Sequence, residues 1–344
     1  MKPVISLLAL AATLSACAPT EPVAVAPPAP DARFAGADTK DYGPEEVNTI
    51  PSDAPTLKIA YGTASARQYG ELRMPEGKGP FPVAVIWHGG CWSGYAGPFG
   101  VSGLATFLAR NGVATWTPGY RELGSDGGWP NTFADWAQGL AYVKTLAKSY
   151  PIDLSRLTLM GHSAGTTPAV WLGTGDYGDA VIEGDLPKPR AAVVIDGPLR
   201  TAPFVGVDAA ICGQPVIVPL MGGTPADVPS RYAMLDPLVN KPLIKRLLVV
   251  DGALPDPEPE VITGLRAQGI AVKRCHDRCI VPPGMVRNGQ GEPYKVFTAF
   301  KKKWLHTVMP LSLTPLDLPL CQAADPAVNG CTPEAIDQLF SAHE

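Results

Sequence analysis

Charge is scarce in this chain of 344 residues: only 17% are Asp, Glu, Lys or Arg. The 28 basic side chains do not outnumber the 32 acidic ones, and a net charge of −4 leaves no basic footprint for nucleic acid. Long apolar runs are missing as well. The N-terminal one, Val4 to Leu14, is well short of the roughly 20 residues that a spanning helix needs. Histidine is rarer still: there are five, so a reaction needing an imidazole must choose among His88, His162, His276, His306 and His343. Metal ligands do not cluster. Cys275-His276-Asp277-Arg278-Cys279 has no second group to complete a four-ligand site, and the sequence implies no metal.

What is present in quantity is apolar surface (46% of residues), with 36 glycines and 38 prolines. That composition suits one α/β domain with a large core, long loops and a tether. The residues up to 16 have the form of a signal peptide: Lys2, a short apolar stretch, then small residues. Residues 17–50, with "EPVAVAPPAP" at 21–30, cannot pack a core and form an extended linker. The folded domain is expected over residues 51–310, with a C-terminal extension over 311–344.

Within it, apolar strands alternate with amphipathic helices. "FPVAVIWHGG" (81–90) is a buried strand running into two glycines, and a helix over 101–112 precedes the strand "VATWTP". A helix over 131–150 places Phe133, Trp136, Ala137, Leu140, Val143 and Ala147 on one face, with Asn131 or Thr132 as its cap. "RLTLM", "AAVVID" (191–196), "RLLVVD" (246–251) and "IAVKR" (270–274) are further strands, with a helix near 258–268. Such alternation predicts a mostly parallel sheet covered by helices on both faces. Residues 198–243, rich in proline and without clear period, are expected to form a small cap over the sheet's C-terminal edge.

Between the strand "RLTLM" and the next helix stands Gly161-His162-Ser163-Ala164-Gly165. Strand, G-x-S-x-G and helix together make a nucleophile elbow: the turn is strained, its neighbours must be small, and the helix start aims N–H groups at a developing oxyanion. The earlier strand ends in His88-Gly89-Gly90-Cys91-Trp92, where two glycines let backbone N–H groups approach a carbonyl.

With these two motifs, and with "YRELG…WPNTFADWAQGLAYVK" between them, the chain resembles the α/β-hydrolase family. Within it the HGGxW form is similar to the branch of esterases, acetyl-xylan and feruloyl esterase-like enzymes and kynurenine formamidase-like enzymes. The resemblance implies Ser163 as nucleophile and an oxyanion hole from N–H groups of Gly89, Gly90 or Cys91 with Ala164. It also implies that His88 braces the oxyanion loop and that Trp92 either lines the substrate pocket or packs as a core aromatic. The acid belongs after "RLLVVD": Asp256 is the first candidate, Asp251 the second and Asp196 a weaker third. The family's order of Ser, then acid, then His leaves His276, His306 and His343 for the base. His276, directly after the strand "IAVKR", is the leading candidate and His306 its alternative, although Arg274-Cys275 stands where family members place glycines. The reaction implied is cleavage of a small carboxylic ester through an acyl-enzyme, with no cofactor. Amide or peptide cleavage on the same scaffold and a non-catalytic binding protein are the rivals.

Leu14-Ser15-Ala16-Cys17 resembles a bacterial lipobox, which implies cleavage before Cys17 and lipidation of it. Ala18 rather than an aspartate at the next position then points to the outer membrane of the cell envelope. Setting Cys17 aside leaves 7 − 1 = 6 cysteines, for which fifteen pairings exist. Cys321 with Cys331 is the pairing expected first. Cys275 and Cys279 are expected as a tight disulfide or as unpaired thiols. The sequence does not address oligomeric state.

Overall fold

The computed structural model describes residues 52–94, 96–178, 180, 184–251 and 259–276, with the backbone alone for Asp251, Cys275 and His276. All of them fall in one compact unit, Thr39–Glu344. Eight strands form one sheet: β1 (Leu57–Ala60), β2 (Tyr69–Arg73), β3 (Phe81–Trp87), β4 (Ala114–Pro118), β5 (Ile152–His162), β6 (Ala191–Ile195), β7 (Arg246–Asp251) and β8 (Ala271–His276). Their spatial order is β1-β2-β4-β3-β5-β6-β7-β8. From β4 onward all pairings are parallel, while β1 and β2 add an antiparallel edge.

The alternation of side chains along β3 explains the layers. Val83, Val85 and Trp87 enter the larger core, and Ala84 and Ile86 the smaller one on the opposite face. Both faces are therefore apolar, so both must be covered. Helix α1 (Ser102–Arg110) covers the smaller core with Ala105 and Leu108. Helices α2 (Asn131–Leu146), α3 (Thr166–Trp171) and α7 (Pro259–Ala267) bury residues in the larger one. There Trp136 meets Phe133 and Trp171 edge-on, at ring distances of 4.8 and 6.2 Å. Such edge-to-face contacts add to the burial of three large rings.

Helix α2 departs from expectation at its start. Neither Asn131 nor Thr132 caps it: the N-cap is Pro130, and no side chain bonds the cap. Instead Thr132 Oγ1 accepts from Gly128 N and donates to Arg121 O, while Asn131 Nδ2 donates to Asp126 O. These side chains fix the incoming loop rather than the helix end. Ala147 also differs, being only half-buried beyond the last turn.

Between β6 and β7 the chain makes three short helices, α4 (Asp208–Cys212), α5 (Ile217–Met221) and α6 (Pro229–Met234). Residues from this stretch line a cleft at the C-terminal end of β5, together with the turn that follows it.

Candidate active site

The strand β5 runs eleven residues and ends at His162; Ser163 then turns left-handed, with φ 51°, before a short 3-10 turn leads into α3. For a non-glycine residue that backbone is costly, and such strain persists only where the surroundings impose it. Here they do. A Cβ added to Gly161 would lie 2.0 Å from Gly165 O, and one added to Gly165 would lie 2.2 Å from Trp87 O. Both glycines are thus required by backbone packed against backbone. A third, Gly197 after β6, presses on the elbow from the other side: its Cβ would fall 2.3 Å from Ser163 O. Sequence reading passed over Gly197, because it belongs to no local motif. Thr166 Oγ1 lies 2.8 Å from Ser163 O and 2.9 Å from Pro198 O, tying the same two segments together.

The loop of residues 88–92 lies against this turn. A Cβ on Gly89 would be 2.9 Å from Ser163 Cβ, so the loop backbone is in contact with Ser163. Past Gly90, Cys91 and Trp92 are both left-handed, with φ of 54° and 53°, and Ser93 N donates to Gly90 O at 2.9 Å. Trp92 is buried, and its Nε1–H donates to Ala164 O at 3.1 Å. That bond joins the loop of residues 88–92 to the residue after Ser163. Ala164 sits in the first turn after the strand, where N–H groups have no helical acceptor. Ser163, Ala164, Cys91 and Trp92 line one open cleft.

Beneath the loop His88 is fully buried and stacked on Tyr120 at 4.4 Å. Its Nδ1 is 2.8 Å from Gly89 O. A carbonyl only accepts, so Nδ1 carries the proton, and the ring holds the backbone at Gly89. Burial pulls its pKa down to about 4, with the Gly89 carbonyl opposing and the Arg67 charge reinforcing the drop. Glu122 stands 4.0 Å from His88 Nε2. Burial raises the Glu122 pKa, and the Arg67 guanidinium paired with both its oxygens works against that rise.

Of the residues expected as acid and base, the described part contains Asp196, Asp251 and His276. The register of the parallel strands β7 and β8 places Asp251 opposite His276 at their C-terminal ends. Asp196 follows β6 with φ 48°, and its N–H donates to Val250 O at 2.8 Å. Asp256, His306, His343, Cys17, Cys279 and the pair Cys321–Cys331 lie outside the described residues. One disulfide was not foreseen: Cys91 is bonded to Cys212, with Cα atoms 5.9 Å apart. Its two cysteines are 121 residues apart in the chain. Nothing in local spacing could have matched them; only their meeting at the cleft does.

The strand order, with a left-handed serine between β5 and its helix, makes the chain an α/β-hydrolase by fold. Residues 71–195 match the family model BD-FAE. Among solved structures, esterase B from Lactobacillus rhamnosis is 16% identical, covering 78% of this chain and 90% of that one at a TM-score of 0.57. A truncated carbohydrate esterase from gut microbiota is 20% identical over 75% and 96% of the two chains, at 0.56. A bifunctional GH43-CE protein from Bacteroides eggerthii is also 20% identical, over 74% of this chain but 38% of that one, at 0.53. At these identities the likeness is one of fold.

A different likeness covers the other end. Residues 256–320 match the DNA photolyase family model. A stretch of 46 residues is 50% identical to the deoxyribodipyrimidine photo-lyase of Vibrio cholerae, 13% of this chain and 10% of that protein. The chain thus spans about a tenth of the length of that curated relative. The two matches divide the site. Ser163, Ala164, Gly89, Gly90, Cys91 and Trp92 lie in the first; Asp256, His276 and His306 lie in the second, together with α7 and β8.

Proposed function

We propose that this ester hydrolase works through an acyl-enzyme on Ser163, held at the bacterial envelope by lipid on Cys17. Ser163 Oγ attacks the ester carbonyl as a base removes its proton. The oxyanion is received by N–H groups of Ala164 and of the Gly89–Gly90–Cys91 loop, where charge stabilisation is strongest because the donors are already in place. The base returns the proton to the leaving alcohol, and water then releases the acid. No cofactor enters this scheme. The observation that carries it is the left-handed Ser163, wedged between Gly161 and Gly165 and in contact with the oxyanion loop.

For the base we propose His276, supported by its position at the end of β8 opposite Asp251. That register favours Asp251 as the acid; Asp256 is its alternative. The expected result is that His276→Ala loses labelling by a fluorophosphonate probe and His306→Ala keeps it. The opposite pattern transfers the role to His306. A panel of p-nitrophenyl esters, aryl formamides and peptide anilides separates ester from amide cleavage.

One observation favours a second reading. The histidine of this family stands at the end of the last strand, and here that strand belongs to the segment matching photolyase. A hydrolase sheet completed by such a segment can keep the elbow and lack its base, leaving a binding protein. Labelling absent from the unmodified protein supports that reading; labelling unchanged in both histidine variants points to a different base.

For the anchor, the support is Leu14-Ser15-Ala16-Cys17 followed by the Pro/Ala-rich linker. Cys17→Ser is expected to remove palmitate incorporation and to leave the membrane fraction for a soluble or uncleaved form. Specific activity of the folded domain stays unchanged. Palmitate incorporation equal to that of the unmodified protein contradicts the anchor.

A further inference from the structure

The cleft beside Ser163 is almost wholly apolar, and Asp208, Ile211 and Cys212 of helix α4 form part of its wall. Five residues are too few for a helix to be stable alone. This one has two inward anchors. At its start Asp208 is buried and accepts from Val216 N and Ile217 N at 2.7 and 2.9 Å. At its end Cys212 is bonded to Cys91 of the oxyanion loop. Around that second anchor Ile211 is 45% exposed, and Gly213, Gln214 and Pro215 face solvent before the chain is buried again at Val216. The disulfide is what ties this exposed stretch to the loop at Cys91.

We propose that the Cys91–Cys212 disulfide is a positioning element that serves two parts of the site at once. It fixes the left-handed turn at Cys91, hence the neighbouring oxyanion N–H groups, and it sets the distance of the α4 wall from Ser163. The acyl group selected is therefore short and apolar. Ile211 stands at the rim of the cleft; a rim held in place by the disulfide limits the chain length that fits, and an apolar pocket discriminates by methylene count. In an oxidising compartment the bond is closed; a thiol reductant opens it, turning one disulfide into two thiols, with the reductant oxidised in exchange. This assignment rests on the ester-hydrolase reading of the same site.

The experiment uses the full chain in detergent with p-nitrophenyl acetate, butyrate and octanoate. Compared are wild type oxidised, reduced with dithiothreitol and reoxidised, and the Cys91→Ser/Cys212→Ser and Cys91→Ala/Cys212→Val double variants with and without dithiothreitol. The reductant also opens any pairing among Cys275, Cys279, Cys321 and Cys331, so only an effect that either folded double variant shows without reductant, and that dithiothreitol does not add to, belongs to Cys91–Cys212. Circular dichroism checks the fold of each form. Opening the disulfide is expected to lower kcat on acetate about tenfold, a fraction of the loss from deleting one oxyanion donor. It is also expected to raise the ratio of kcat/KM for octanoate over acetate about tenfold, and reoxidation reverses both. A merely structural bond lowers the amount of folded enzyme and leaves that ratio where it was. An unchanged ratio and kcat in folded, reduced enzyme overturns the proposal while leaving the hydrolase reading intact. Wild type that cleaves none of the three esters contradicts the hydrolase reading and this proposal with it.

Discussion

Ser163→Ala is expected to lower ester hydrolysis by on the order of 10⁴-fold or more, the scale of losing a nucleophile from a catalytic unit. Its melting temperature should stay within a few degrees of wild type. The strain of the elbow is in the backbone, with φ at 51°, and no hydrogen bond of Ser163 Oγ is among those that hold the turn. The turn is held instead by Ser163 O, which accepts from Thr166 Oγ1, and by contacts with Gly197. Steady-state rates and thermal unfolding on the same preparation check both halves. Residual hydrolysis at a tenth of wild type contradicts the role of Ser163.

Gly165→Ala is expected to have the opposite signature, a loss of fold before any loss of chemistry. The added Cβ would stand 2.2 Å from Trp87 O and 2.8 Å from His88 O. Both are main-chain atoms at the end of β3, where Trp87 is fully buried and the oxyanion loop begins. No side-chain rotation can relieve the contact. Overpacking of a core costs about 1–3 kcal/mol, and more where backbone must shift. For the substitution a drop of about 3 kcal/mol or more is therefore expected, read as a lower denaturant midpoint at unchanged slope. A midpoint equal to wild type contradicts the packing described for the elbow.

These two residues belong to the part of the molecule that was legible in the sequence. The G-x-S-x-G and HGG motifs are short, local and made of residues whose size is their function, so their reading needs no long-range information. The strands from β3 to β8 were legible because each is an apolar run bounded by turns. The pair β1 and β2 was not, because its strands are only four and five residues long, with half-buried, alternating faces. Cys91–Cys212 and Gly197 were invisible for a different reason: each acts on a partner distant in sequence.

Acid and base are another matter. Their reading relied on the order Ser, acid, His along the chain, which guides only while a sequence stays within one family. This one matches photolyase from residue 256. The visible sign was Arg274-Cys275 before His276, where glycines were expected. Structurally the segment still fits, since a helix and a parallel strand complete any α/β sheet: Val261, Ile262 and Leu265 of α7 are buried in the larger core, and β8 pairs with β7 over six residues. A fitting strand does not by itself supply chemistry.

The most direct test of the central claim is therefore covalent. The full chain is treated with a fluorophosphonate, and its adduct is located by mass spectrometry of the digested protein. An activated serine reacts and an unactivated one does not. The account predicts one adduct per chain, on the peptide carrying Gly161-His162-Ser163-Ala164-Gly165, and none in Ser163→Ala. Absence of an adduct from folded wild-type protein, or an adduct on another residue, contradicts it.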